Sequence, residues 1–200
     1  MNRYQSGLVL CVLLSSSCYN QQDVQTLSQS VILRECSGVT DKYDGQFRLA
    51  ALTYWPPLYS TDWGWLKAQC YVVSHFREKA RSHANAQGLC QFLPTTWRDV
   101  EAELGTEMDI LNAHDSITAS GYYMGKLMRE WAMPDIRTVR SHRRLSQASY
   151  NGGLGTVLKG QRKAGGALEW APIEQYLPKE SQEYPIKIEA AHTKICMPQS

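Results

Sequence analysis

Trp65-Leu66-Lys67-Ala68-Gln69-Cys70-Tyr71-Val72-Val73-Ser74-His75-Phe76 opens a stretch that closes, after a polar connector, on Gly88-Leu89-Cys90-Gln91-Phe92-Leu93-Pro94-Thr95-Thr96-Trp97. Trp65, Leu66, Cys70, Val73 and Phe76 recur at helical spacing, which predicts an amphipathic helix, and Asp62 stands where its cap would be. Residues 77–87 are polar and mostly charged, a solvated connector. Gly88 leads a tight turn, and Pro94 suits the first turn of a second helix that stops at Gly105. A helix, a returning glycine turn and a second helix entered at proline build a pocket.

Taken with Ala148-Ser149-Tyr150-Asn151-Gly152-Gly153-Leu154-Gly155, this stretch resembles the soluble lytic transglycosylase (SLT, lysozyme-like) domain family. The resemblance spans roughly residues 46–190 and rests on several separated motifs in the family's order. It implies a mainly α, goose-type lysozyme-like helical domain with a substrate groove. It also implies cleavage of the β-1,4 bond between N-acetylmuramic acid and N-acetylglucosamine in peptidoglycan, with anhydro-sugar formation and no cofactor or metal. Members carry a glutamate directly before the serine that ends the first helix. Here that position is Val73.

Cleaving a glycosidic bond requires a proton on the departing oxygen, and a carboxylic acid in an apolar setting holds one near neutral pH. In this family one glutamate both gives that proton and takes another from the sugar's own hydroxyl. Valine does neither, so loss of the acid costs about two to four powers of ten in rate. Glu78 is the nearest substitute, but Arg77 and Lys79 beside it favour its ionised form. His75 is a second, more readily read as a surface or capping group.

The rest of the site matches better. By the resemblance Ser74 follows the acid and steadies it or meets the sugar, Gly88 and Gln91 form the turn, and Tyr150 and Asn151 are the tyrosine-asparagine pair. Tyr150 is expected to aim its hydroxyl at the acid position, and the Gln91 amide to bond sugar hydroxyls and acetamido groups. Cys90 replaces the usual methionine. Singly, each of these residues reads as turn, cap or core; their joint order carries the functional reading. Tyr54, Trp55, Tyr59, Trp63 and Trp65 crowd the approach to the helix, and one or two of them are expected to stack on sugar in the groove.

The chain has 200 residues, with 21 Lys plus Arg against 19 Asp plus Glu. A net charge of +2 offers no strong field for nucleic acid. The expected partner is the peptidoglycan glycan strand, met by a monomer. Residues 1–18 read as a leader: the apolar run 7–14 is too short to span a bilayer, and small residues follow it. Cys18 after those residues resembles a lipoprotein signal, although Ser17 stands where glycine or alanine is usual. A cleaved signal, an uncleaved anchor and a lipidated Cys18 stay open, and each implies export to the periplasm or cell envelope. Residues 19–45 read as a tether, and 46–200 as the transglycosylase-like domain.

Past the leader stand Cys36, Cys70, Cys90 and Cys196, which suit one or two disulfides with three possible pairings and lack zinc-ligand spacing. Helices are expected over about 46–55, from Asn112 with Asp115 as a capping pair through Trp131, and over about 136–149 with Val139 and Leu145 inward. In that last helix Arg140, His142, Arg143 and Arg144 read as a solvated face. The segment 180–188 resembles the family's closing segment, in which a tyrosine packs beside the groove. Two readings compete with an active enzyme: a glycan-binding pseudoenzyme, and a structural wall-associated lipoprotein.

Overall fold

The computed structural model describes residues 36, 38–132 and 138–196, all within one unit, Arg34–Ser200. The leader, the first part of the tether, and Pro134 and Ile136 lie outside the described residues. Among the described residues nine helices follow one another: α1 Asp44–Tyr54, α2 Pro57–Ser60, α3 Gly64–Ser74, α4 Pro94–Leu104, α5 Ala113–Glu130, α6 Val139–Gly152, α7 Leu154–Lys163, α8 Trp170–Glu174 and α9 Lys179–Cys196. Isolated bridges of Gln87 with Arg81 and with Phe92 are the sole β pairing among the described residues. The mainly α expectation holds.

Local chemistry sets most boundaries. Asn112 Oδ1 accepts from the backbone N–H groups of His114 and Asp115 and opens α5. Pro94 starts α4 and Gly105, at φ 66°, ends it. Helix α3 has no side-chain cap. Asp62 instead accepts from Trp65 Nε1 at 2.7 Å and faces His192. The left-handed residues His75 and Phe76 end α3.

Helix α1 packs on α5, α3 packs on α9, and α9 also meets α6. The α1–α5 approach needs a small residue, because a Cβ on Gly125 would stand 2.2 Å from the Tyr54 carbonyl oxygen. Phe47, Leu66, Leu89, Ile117 and Ile188 fill the main core, and Trp131, Leu145, Val157 and Ile173 a second one. Helix α6 departs from its expected faces. Val139 is exposed, while His142 is buried, Arg143 lies over the Trp65 ring, and Arg144 donates to both carboxylate oxygens of Glu189. Only Arg140 of that basic run is mainly in water.

Packing extends to residues before 46. Cys36 is bonded to Cys196, the Gly38 N–H donates to the Ile195 carbonyl, and Tyr43 is core. Lys67, wholly buried, reaches from α3 to the Cys36 and Thr40 carbonyls and the Asp44 carboxylate. A second disulfide, Cys70–Cys90, ties α3 to the glycine turn. Cys90 is therefore half of a covalent link between the two motifs rather than a small substitute for methionine.

Candidate functional site

A cavity of about 450 Å³ opens between the end of α3, the loop from Ser82 to Leu93, and helices α4, α5, α6 and α9. Val73, Gln91, Tyr150 and Asn151 all line it. Segments far apart in the sequence thus meet at one concavity.

Each of these side chains is held by its neighbours. Gly88 has φ 79°, and a Cβ there would fall 2.0 Å from the Ile110 carbonyl oxygen, so only glycine makes this turn. Gln91, itself left-handed, donates from Nε2 to the Ala80 carbonyl at 3.1 Å and the Gly88 carbonyl at 2.9 Å. Its amide N–H groups therefore brace the loop. Ser74 is fully buried and donates to the Leu89 carbonyl at 2.6 Å, which fastens α3 to the turn from beneath the cavity wall. Tyr150 donates to the Cys90 carbonyl at 3.0 Å, so its hydroxyl points to the turn backbone. Burial pushes that phenol's pKa up, against the opposing pull of hydrogen bonds with Ser120 and Gln69.

Asn151 joins two helices. Its Nδ2 donates to Glu180 at 3.2 Å, and its Oδ1 accepts from Ser181 at 2.9 Å. Glu180 is the one carboxylate among the residues lining the cavity. It is exposed, unlike the desolvated acid that proton donation near neutral pH requires. Glu78 does not line the cavity. It is bonded by Lys42 and Tyr43, and the Lys42 bond above all holds its carboxyl below the usual range. His75 is an exposed cap, edge-on to Tyr71.

The aromatic residues that crowd the approach to α3 do not line the cavity. Trp55 and Trp63 are core, Tyr59 stacks on His142, and Trp65 is sandwiched between Arg143 and His192. Phe92, Tyr123, Tyr150 and Tyr184 line the cavity instead. Glu180, Tyr184 and Lys187, which also line it, sit at i, i+4 and i+7 of α9, so one helical face faces the cavity. That spacing was visible in the closing segment and is the signal that could have named Glu180 and Lys187.

The chain matches the family described as Transglycosylase SLT domain over residues 58–173. It is 27% identical over 138 residues to membrane-bound lytic murein transglycosylase F of Vibrio parahaemolyticus, covering 64% of this chain and 25% of that protein. The protein of the same name from Vibrio campbellii is 25% identical, with 64% and 24% covered. The chain thus spans about a quarter of the length of these curated relatives. Among solved structures, the 70 kDa soluble lytic transglycosylase of Escherichia coli superposes with a TM-score of 0.64 at 18% identity, covering 87% of this chain and 27% of that one. An inactive mutant of lytic transglycosylase Slt from Pseudomonas aeruginosa superposes with a TM-score of 0.62 at 18% identity, covering 86% and 26%. These two likenesses concern the fold.

Proposed function

The chain belongs to the transglycosylase SLT-domain family, and from that premise we propose that it is a peptidoglycan lytic transglycosylase-type protein whose cavity takes a glycan strand. The observation that carries the proposal is the convergence of Val73, Gln91, Tyr150 and Asn151 on one sugar-sized concavity. The reaction of the type is cleavage of the β-1,4 bond between N-acetylmuramic acid and N-acetylglucosamine, the muramic hydroxyl closing the anhydro ring. Its acid position in this chain is Val73, and no buried carboxylate stands among the lining residues to replace it. That supports a second reading, in which the chain as written holds glycan and cleaves it slowly or not at all.

The relatives are named membrane-bound, which supports placement in the cell envelope. Attachment would come through the N-terminus or a lipidated Cys18. Among the described residues no helix is long and apolar enough to cross a membrane.

Purified sacculi incubated with the protein, followed by mass spectrometry for anhydro-muropeptides, test both readings. Val73→Glu is expected to release them about two to four powers of ten faster than the chain as written. Equal rates would place the acid elsewhere, with Glu180→Gln as the next variant. Sacculi that retain neither form would remove the glycan reading altogether.

A further inference from the structure

The seam where the segment before α1 meets the end of α9 gathers four side chains with metal-donor atoms, and none of them lines the cavity. The Sγ atoms of Cys36 and Cys196 and a ring nitrogen of His192 lie within 4.8 Å of one another, all three residues being buried. His192 and Cys196 stand four residues apart on α9, hence on one helical face, while Cys36 comes from 160 residues before Cys196. Asp62, just before α3, brings Oδ1 to 3.4 Å from His192 Nε2. The Cys36–Cys196 disulfide accounts for two of these groups. It makes no use of the other two.

Thiolate sulfur, imidazole nitrogen and carboxylate oxygen are the donors zinc takes, in tetrahedral sets with bonds of about 2.0–2.3 Å. Such bonds set neighbouring nitrogen and oxygen ligands about 3.3–3.5 Å apart, the spacing His192 and Asp62 already have. Both are held from outside by one residue. Trp65 stacks flat on the His192 ring at 3.8 Å and donates from Nε1 to Asp62 Oδ2, which leaves Oδ1 for a metal. The opening turn of α3 closes over the cluster. A Cβ on Gly64 would fall 2.4 Å from both sulfurs and 3.3 Å from His192 Nε2. Helix α3 has no side-chain cap there, so its first N–H groups favour thiolate over thiol.

We propose that the reduced chain binds one zinc ion through Cys36, His192 and Cys196, with the Asp62 carboxylate as the fourth ligand. A dithiol reductant supplies two electrons and two protons, the Cys36–Cys196 bond opens to two thiols, and the reductant closes its own disulfide. A water-soluble phosphine does the same in vitro, water supplying the oxygen of its oxide. Zinc then displaces the two thiol protons and takes the lone pair of His192 Nε2, with the ring proton on Nδ1. Metal and disulfide thus become alternative closures of one seam, the first where thiols stay reduced and the second where they oxidise.

The test titrates zinc, in competition with a chromophoric chelator, into the full chain reduced by phosphine and into the oxidised chain, and repeats the titration with cobalt(II) for its spectrum. The reduced chain is expected to take up one equivalent, its cobalt form showing thiolate charge transfer and tetrahedral bands. The oxidised chain is expected to take up none at that affinity. His192→Ala should weaken zinc on the order of a hundredfold, and Asp62→Asn about tenfold. Zinc should also raise the melting temperature of the reduced chain and leave that of the oxidised chain unchanged, a readout that needs no variant. No uptake by the reduced chain, equal uptake by the oxidised chain, a cobalt spectrum without thiolate bands, or unchanged affinity in His192→Ala overturns the proposal.

Discussion

Lys67 shows how a single residue can hold a domain's first segment in place. None of its side chain reaches water, yet its ammonium bonds two carbonyls and the Asp44 carboxylate. Burying a charge is costly unless it is paired and its donors are used, and here three partners use three protons. Removing the cation leaves Asp44 and the two carbonyls without it. Lys67→Met is expected to lower the unfolding free energy by about 3–5 kcal/mol in urea titrations, and pairing it with Asp44→Asn should restore part of that loss. A loss near zero for the single variant would show that the ion pair contributes no net stability. In the sequence Lys67 was simply a polar position on an amphipathic helix, because its partners come from residues 36 to 44, which composition alone assigned to a tether.

At the scale of elements, the cavity depends on how α3 is fixed to the glycine turn. Two links do this within one helical turn of Val73: the Cys70–Cys90 disulfide and the Ser74 bond to the Leu89 carbonyl. A disulfide closing a loop of this length stabilises by about 3 kcal/mol in the chain-entropy picture. The paired variant Cys70→Ser with Cys90→Ser should lose stability of that order and also bind glycan more weakly, as the turn moves relative to α3. Unchanged affinity in the serine pair, with the fold intact, would mean that the cavity wall is held without the bond. The helices themselves were largely readable, since Asn112, Pro94 and Gly105 act on backbone groups a few residues away. Asp62 stands at a cap position for the same local reason, but its carboxylate is drawn instead to Trp65 and His192. The basic face of α6 is largely covered rather than solvated, because Trp65 and Glu189 come from α3 and α9 to meet Arg143 and Arg144.

For the molecule as a whole, the contacts of α9 with α3 and α6 carry a pH dependence. Burial alone would raise the Asp62 carboxyl, but the bond and charge of His192, with Trp65 and Arg143, outweigh it and leave it below its ordinary value. Burial of Glu189 is likewise outweighed, by Arg144 first. Groups with a depressed folded pKa stabilise the native state above their unfolded pKa and lose that stabilisation as pH falls through the folded one. The melting temperature should therefore drop as pH falls from about 5 to about 2, and Asp62→Asn should flatten that slope; an identical slope in the variant would assign the acid sensitivity to other carboxylates. What the sequence determined by itself was the helical class, most helix ends and the order of the motifs, because periodicity, caps and ordered motifs are properties of neighbours along the chain. Only the tertiary structure decided which cysteines pair, which aromatic rings meet the cavity, and which polar groups there are already spent, because hydrogen bonds and burial are settled between segments that the chain brings together from far apart.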